Sequence, residues 1–472
     1  MSTLDTLRGL YVRLPPPVRR SLAPLASVLP WPLRWGSSYR RLRAALAGHE
    51  TSAAFVAAWQ ERALAEIHDL CLTTEAYRPQ LSRSHTLRSP AEKAQAVRAL
   101  PVLSKEMVRR SPEAFLARPA STLDLVSTSG SSGQPFHFYL DRDRGAREWA
   151  FVHHIWGHIG YHPHDRRAVL RGVAIPNVDR QPWSFDPALG ELVLSPFHLV
   201  PPVMDHYLEQ IQRRRVRFLH GYPSALAILA GHALRRGWQP PSCLKGVLPV
   251  SETLWPSQRE LIRQAFRLPI LALYGLSEKV AIAGERPNRP GHYVFEPLYS
   301  LVELVDEAGE PVLEPGRIGR LVGTGFVSKG MPLVRYDTGD VAELVRVASP
   351  NSGWRLEVRG LRARRALEMV VGAGGALVSM TAINIHSQAY CHIEAFQLRQ
   401  DKPGEVTINV VPVKGANRGD LEPFAQEIQS KVGQGIRFRL ELVEALPAGA
   451  RGKRLLVDQR LDLATFGGGP VA

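Results

Sequence analysis

The chain runs to 472 residues, more than one hydrophobic core usually serves and enough for two or three folding units. With 44% apolar and 22% charged residues it has the composition of a globular protein, which excludes a disordered or fibrous chain. Lys and Arg outnumber Asp and Glu by 59 to 44, and the net charge of +15 favours anionic partners (nucleotide, nucleic acid or membrane surface) without naming a function.

Cys71, Cys243 and Cys391 stand far apart, with no CxxC or Cys/His cluster, so neither a disulfide scaffold nor a zinc site is expected and a reducing cytoplasm fits. The apolar stretch 219–234 is broken by His220, Tyr222, Pro223 and His232, so no membrane-spanning helix is expected. Prolines at 15–17 interrupt the N-terminus where a signal peptide needs an apolar run, so secretion is not expected either.

Residues 1–50 carry eight arginines against Asp5 and Glu50, with Trp31 and Trp35 among them. Two readings fit: a weak membrane-surface contact through residues 1–45, peripheral to the inner face of the membrane, or a short-helix cap with its arginines in water. Prolines at 15–17, 24, 30 and 32 break any long amphipathic helix and favour the cap.

Apolar residues at helical spacing (Phe55, Ala58, Leu64, Ile67, Leu70) predict a helix over 52–72, and Ser104 predicts the cap of a short one. Between 125 and 273 the runs RAVLRGVA, VRFLHGY, KGVLPV and PILALYG alternate with helical stretches at 202–214 and 224–236, the pattern of an α/β region with a largely parallel sheet. From 299 to 344 strands alternate with Gly and Pro turns, as in a small β-barrel or sheet. Strand patterns at 405–411 and 438–443 around a helix at 421–432 predict an α+β C-terminal unit.

Four motifs carry chemistry. STSGSSGQPF, at 127–136, is a Gly, Ser and Thr loop of the kind that, between a strand and a helix, wraps phosphate oxygens with backbone N–H groups and hydroxyls. It lacks the Gly-Lys-[Ser/Thr] ending of a P-loop, and a serine-rich surface turn is its plain alternative. LYGLSEK, at 273–279, sets Tyr274 to stack on a purine and Glu278 to reach a metal held by phosphates, unless Ser277 merely caps a helix. PLVRYDTGD, at 332–340, offers Asp340 to a pair of ribose hydroxyls, or is a hairpin turn. LPAGARGKRLLVDQ, at 446–459, places Lys453 on a Gly-framed turn, by itself one solvated cation among many.

Taken together and in this order, with HGYPSAL, GVLPVSETL, SMTAINIHSQAY and FQLRQDKPGEV between them, these segments resemble the adenylate-forming (acyl-activating, AMP-binding) superfamily over nearly the full length. Within it they are similar to the phenylacetate-CoA-ligase-like branch associated with capsular polysaccharide biosynthesis. The resemblance implies a large multi-layer α/β N-terminal domain with mixed sheets and a small β-barrel-like part, over 1–364. That domain would be helical to 120, an α/β core over 121–298 and β-rich over 299–364. A small mobile α+β lid domain would follow over 365–472.

The resemblance further implies an AMP-forming ligase using ATP, Mg²⁺ and a small carboxylic acid, with CoA as acyl acceptor or, alternatively, an amine or hydroxyl acceptor in polysaccharide or secondary-metabolite biosynthesis. Ser127, Thr128, Ser129, Gly130, Ser131, Ser132 and Gly133 would hold the β- and γ-phosphates, and Glu278 the Mg²⁺. Ser251, Glu252, Tyr274, Gly275 and Ser277 would line the adenine pocket and Asp340 would fix the ribose. His220, Tyr222, Pro223 and Ser224 would border the acyl pocket, with a structural histidine as the alternative for His220. Arg365 would sit at the hinge, with Arg362 as its competitor, and Lys453 would act in chemistry with Thr128 and Glu278.

The match has departures. Phe136 and His137 follow Pro135 where the superfamily usually has Lys, the hinge reads Arg364-Arg365 with Leu367 and Glu368 in place of Gly-Arg and paired acids, and Ala448-Gly449 precede the lysine turn. Two further classes compete: a non-catalytic nucleotide- or acyl-binding homologue, disfavoured by Glu278, Asp340 and Lys453 occurring together, and a nucleic-acid binder, for which no zinc finger or RNA-recognition signature is present.

Overall fold

The first helices form where the sequence caps and spaces them. In the computed structural model, which describes residues 18, 35–49, 52–128, 134–173, 175, 178–362, 368–379, 390–446 and 456–466, helix α1 spans Gly36–His49 and α2 spans Ala53–Cys71. The Ser52 hydroxyl accepts the Phe55 N–H at 3.2 Å and starts α2. Helix α3 (Pro90–Arg98) carries Pro at its start, and α4 (Lys105–Arg110) is capped by Ser104, which accepts the Met107 N–H at 3.2 Å.

Helix α1 packs against α5 (Arg144–Gly157) through buried Trp35, Tyr39 and Leu46, while Arg40 and Arg41 face water. Over 35–49 the basic segment is therefore a cap, and the apolar side chains that membrane insertion would use are turned inward. The rest of the expected membrane-contact segment, Val18 apart, lies outside the described residues. No described helix is long and apolar enough to cross a membrane.

Strands β1 (Leu123–Thr128) and β2 (Phe136–Asp141) form an antiparallel hairpin. The α/β unit then follows: β3 (Arg167–Leu170), β4 (Trp183–Asp186), β5 (Glu191–Leu194), β6 (Phe218–Gly221) and β7 (Gly246–Pro249), in the order β4-β5-β3-β6-β7. All but β4 run parallel, as the alternating pattern predicts. Helices α6 (Pro201–Arg213), α7 (Pro223–Arg235) and α8 (Pro256–Phe266) follow β5, β6 and β7 in sequence.

Ile270 bridges Val247, and Leu273 bridges Val250, both in parallel, so the chain extends the sheet by a fifth parallel position. Counted along the chain, the parallel positions have the order 2-1-3-4-5, and a doubly wound sheet of that order opens its ligand crevice where the winding reverses, here between the C-terminal ends of β3 and β6. Gly221 marks the close approach at that point, because a Cβ there would lie 2.6 Å from the Leu170 carbonyl oxygen.

Strand β8 (Leu273–Gly275) continues directly from that fifth position into an antiparallel sheet of seven strands. The others are β9 (Ile282–Arg286), β10 (Arg289–Phe295), β11 (Ser300–Val305), β12 (Ile318–Gly325), β13 (Tyr336–Arg346) and β14 (Glu357–Arg362), in the order β11-β12-β13-β14-β10-β9-β8. The β-rich stretch expected from 299 is thus part of a larger sheet that begins at Leu273, and among the described residues its end strands β11 and β8 do not pair with each other.

Strands β15 (Met369–Val371) and β16 (Leu377–Ser379) pair with each other. Strands β17 (Ile393–Lys402), β18 (Glu405–Pro412), β19 (Arg437–Leu442) and β20 (Val457–Gln459) form a sheet in the order β19-β18-β17-β20, with helix α9 (Arg418–Val432) connecting β18 to β19. Leu398, Ile408, Val410 and Phe424 fill this C-terminal core, which is continuous with that of the α/β unit. Ile228 of α7 packs against Met369, Val371 and Leu377, and the Gln434 N–H donates to Asp179 Oδ1 at 2.7 Å.

One buried carboxylate ties the hairpin to the large sheet. Asp141, at the end of β2, accepts the Lys329 N–H at 3.0 Å and the Gly330 N–H at 3.1 Å, and faces Arg147 at 3.3 Å. Asp141→Ala leaves Arg147 and two buried amides without that acceptor and is expected to cost about 3–5 kcal/mol. Urea denaturation measures this, and a loss under about 1 kcal/mol would refute the assignment.

Candidate functional site

Residues 129–135 connect Thr128 to Phe136, which face each other across the hairpin. The Ser/Gly loop therefore joins two paired antiparallel strands and is not the strand-to-helix connection expected. Ser129, Gly130, Ser131, Ser132 and Gly133 lie outside the described residues. Ser127 is buried in β1, and its hydroxyl meets His137 Nδ1 across the strands at 2.8 Å. Burial pushes the pKa of His137 down. Thr128, next to the loop, keeps a buried hydroxyl with no hydrogen-bond partner among the described residues.

The opposite wall comes from the large sheet. Tyr274, on β8, donates its phenol to Asp340 Oδ2 at 2.7 Å. Burial first, and the Asp340 charge second, raise the Tyr274 pKa well above its usual value, so it remains a phenol and a donor. Asp340 is itself set by its own N–H donating to Thr338 Oγ1 at 3.1 Å, inside a turn where Gly339 has φ +77°.

Glu278 is nearly buried, accepts from the Tyr336 hydroxyl at 3.2 Å and lies 3.7 Å from Lys105 Nζ. Lys105 Nζ also stands 4.5 Å from the centroid of the Phe136 ring, which stacks on Tyr336. Glu278 is thereby brought to the base of the hairpin loop. Gly275 is exposed and Ser277 half-buried in the turn between Tyr274 and Glu278.

The remaining expected residues line the C-terminal edge of the parallel sheet. The Val250–Leu273 bridge sets Ser251 alongside Tyr274, and Ser251 adopts a left-handed backbone, φ +69°, which is unfavourable for a non-glycine residue and found often at functional sites. Glu252 Oε2 accepts the Ser224 N–H at 3.1 Å, so part of its role is to compensate the N-terminus of α7. Pro223 opens that helix, and the hydroxyl of Tyr222 accepts the Gly172 N–H at 3.3 Å, joining β6 to β3 across the crevice. His220 is buried against Trp156, ring centroids 4.8 Å apart, and its Nδ1 has no partner among the described residues. Trp149 and Trp156 belong to the core beneath, with His153 packed against both.

Arg365 and Lys453 lie outside the described residues. Their flanks nonetheless meet: Glu368 Oε1 accepts the N–H groups of Leu456 at 2.9 Å and Val457 at 3.3 Å. Sequence reasoning missed the roles of Lys105, Tyr336 and Glu368, although Lys105 stands at a helix start, Tyr336 inside the PLVRYDTGD run and Glu368 beside the hinge arginines.

The described residues thus assemble an anion-tolerant loop base, a polarised Tyr–Asp pair and a carboxylate flanked by a lysine along one edge of a doubly wound sheet. Among them no group of three or more His, Cys, Asp or Glu could enclose a metal. A single carboxylate suits a Mg²⁺ whose other ligands are phosphates and water, and Glu278 fits that donor set.

Residues 370–459 match the CapK C-terminal domain family. Protein CapK of Staphylococcus aureus is 21% identical over 372 residues, covering 76% of this chain and 79% of CapK. A phenylacetate-coenzyme A ligase of Thermus thermophilus is 32% identical over 143 residues, 28% of this chain and 31% of that one. 2-Hydroxyisobutyryl-CoA ligase superposes with a TM-score of 0.50 at 17% identity in an open conformation with 2-HIB-AMP and CoA, over 86% of this chain and 92% of that one. Its thioesterification state gives the same score and identity over 95% of each chain.

The fold is that of the adenylate-forming ligases. In sequence the chain is similar to CapK and, over a shorter stretch, to a phenylacetate-coenzyme A ligase, and its C-terminal residues match the CapK C-terminal domain family.

Burial, followed by nearby arginines, holds the pKa of His153 and His220 well below 6.5. Their folded values lie under the unfolded one, so the stability they contribute is full above about pH 6.5 and lost as pH falls, by up to about 1.4 kcal/mol per pH unit per proton. Urea midpoints should fall from about pH 7 to about pH 5, and His220→Asn should remove about one proton from that slope. An unchanged slope would show that His220 titrates alike in both states.

Proposed function

We propose that the chain is an ATP-dependent acid-activating ligase, a cytoplasmic enzyme that forms an acyl-adenylate with release of pyrophosphate and then transfers the acyl group to CoA. The observation that carries this reading is the convergence of the Tyr274–Asp340 pair, Glu278 and the hairpin loop at one edge of the doubly wound sheet. The match to a phenylacetate-coenzyme A ligase supports CoA as acceptor.

In the first half-reaction a carboxylate oxygen of the acid attacks the α-phosphorus, the bridging P–O bond breaks and pyrophosphate leaves. Thr128 and the loop hold the β- and γ-phosphates, Tyr274 stacks on adenine, and Asp340, steadied by Tyr274, accepts from the ribose. Glu278 is the residue to hold Mg²⁺, which when bound offsets phosphate charge. Lys105 adds a fixed positive charge beside Glu278.

Lys453 is assigned to the α-phosphate and the reacting carboxylate, where negative charge redistributes in the transition state. In the second half-reaction the CoA sulfur bonds to the acyl carbon, AMP departs with the C–O electron pair and the thiol proton passes to solvent. We assign 1–364 to the large domain and 365–472 to a lid turning about residues 365–368, with Glu368 tying the hinge end to the lysine segment.

Acid-dependent pyrophosphate release from Mg-ATP tests the reading across aryl, fatty and hydroxy acids. Lys453→Ala should lower kcat by about 10²–10³-fold with little change in KM for ATP, whereas Asp340→Ala should act mainly by raising that KM. ATP binding without release by any acid would overturn the proposal in favour of a non-catalytic binding protein.

A further inference from the structure

Arg171 directly follows β3, at the reversal point of the sheet, and no motif marks it. It is half-buried, and its Nε is enclosed with no hydrogen-bond partner among the described residues. No acidic side chain pairs with it, although every Asp and Glu of the chain except Asp5 and Glu50 lies among the described residues. Arg167 on the same strand is paired with Glu191, Arg147 with Asp141 and Arg335 with Glu303, whereas half-buried Arg214 is stacked on Trp183 and Phe185. Arg43, like Arg171, has an enclosed nitrogen without a partner among the described residues but lies in helix α1, away from the sheet. The neighbouring ionisable group, His220, has its pKa held well below the usual value by burial and then by Arg171, and an imidazole carries no negative charge in either protonation state.

A guanidinium withdrawn from water without an anion carries a desolvation cost that a ligand anion can offset, and its planar fork matches a carboxylate in bidentate fashion. Around it stand the Gly172 N–H, bound to the Tyr222 hydroxyl, and the partnerless Nδ1 of His220. These groups stand at the C-terminal ends of β3 and β6, where the winding of the sheet reverses. They lie three strand positions from Tyr274, about 14 Å at the usual strand spacing.

We propose that Arg171 binds a second anionic group on the acid, at the end remote from the carboxylate that is activated, and that the substrate is therefore a dicarboxylic or otherwise dianionic acid. This rests on the acid-activating reading. The strand separation argues that Arg171 does not hold the reacting carboxylate, and a bidentate guanidinium there would also weaken its nucleophilicity toward phosphorus.

The test compares linear and aromatic dicarboxylates of four to eight carbons with their monomethyl esters, by calorimetric binding in the presence of a non-hydrolysable ATP analogue and by pyrophosphate release with ATP. Wild type, Arg171→Lys and Arg171→Gln are used, each first shown by denaturation to be folded. The expected result is at least one diacid bound tenfold or more tightly than its monoester, with that ratio falling to within threefold of unity in Arg171→Gln and to an intermediate value in Arg171→Lys.

A wild type that binds no diacid, or does not distinguish diacid from monoester, overturns the proposal, as does an equal ratio in the variants. Loss of CoA affinity in Arg171→Gln without any change among acids also overturns it and moves the anion to a CoA phosphate. Arg171-dependent diacid binding with no pyrophosphate release sustains the site and refutes adenylation. Release driven equally by monoesters sustains adenylation and refutes the role of Arg171.

Discussion

Residues 270–275 carry hydrogen bonds on both flanks: toward β7 in parallel, through Leu271 N–H to the Val247 carbonyl, and toward β9 antiparallel, through Leu273, Tyr274 and Gly275. One segment thus closes the doubly wound sheet and opens the antiparallel one. Because side chains alternate along a strand, the shared register leaves no freedom in where Tyr274 points once both sheets have formed. The relation of Ser251 to Tyr274 follows from that single pairing, whereas Asp340, on β13 and four strand positions from β8 in the large sheet, meets Tyr274 through their side-chain hydrogen bond.

The charges of the site are arranged around this seam. Acidic groups there are few and individually partnered: Glu278 with Tyr336 and Lys105, Asp340 with Tyr274, Glu252 with the first turn of α7. The hairpin loop has no acidic residue at all. An anion approaching its base meets donors and one nearby lysine, and the positive excess of the chain reinforces that preference at longer range. Asp141 performs the complementary structural task, fastening the end of strand β2 to residues 329–330.

Local pattern made much of this legible. The Ser52 and Ser104 caps, the helix at 53–71 and the strands inside VRFLHGY and KGVLPV come from nearest-neighbour chemistry, and the structure has them within a residue or two. Tyr274, Glu278 and Asp340 were legible as motif residues because each sits in a short run with an unusual turn. What escaped depends on contacts distant in sequence. Lys105 reaches Glu278 across 173 positions, Glu368 reaches Leu456 across 88, and Arg171 acquires meaning only from the strand order. The strand after residues 129–133 is legible in the alternation of Phe136, Phe138 and Leu140 with His137, Tyr139 and Asp141, and sequence reasoning passed over it because the Ser/Gly run points toward a strand-to-helix connection.

The packing of α7 against β16 sets a thermal signature on any movement of the C-terminal part. The helix begins at the crevice with Pro223 and carries Ile228 against Met369, Val371 and Leu377. Lifting the C-terminal strands from it would hydrate that apolar surface, and newly hydrated apolar surface raises heat capacity. Any movement of the C-terminal strands away from α7 would therefore carry a heat-capacity change and a curved temperature dependence.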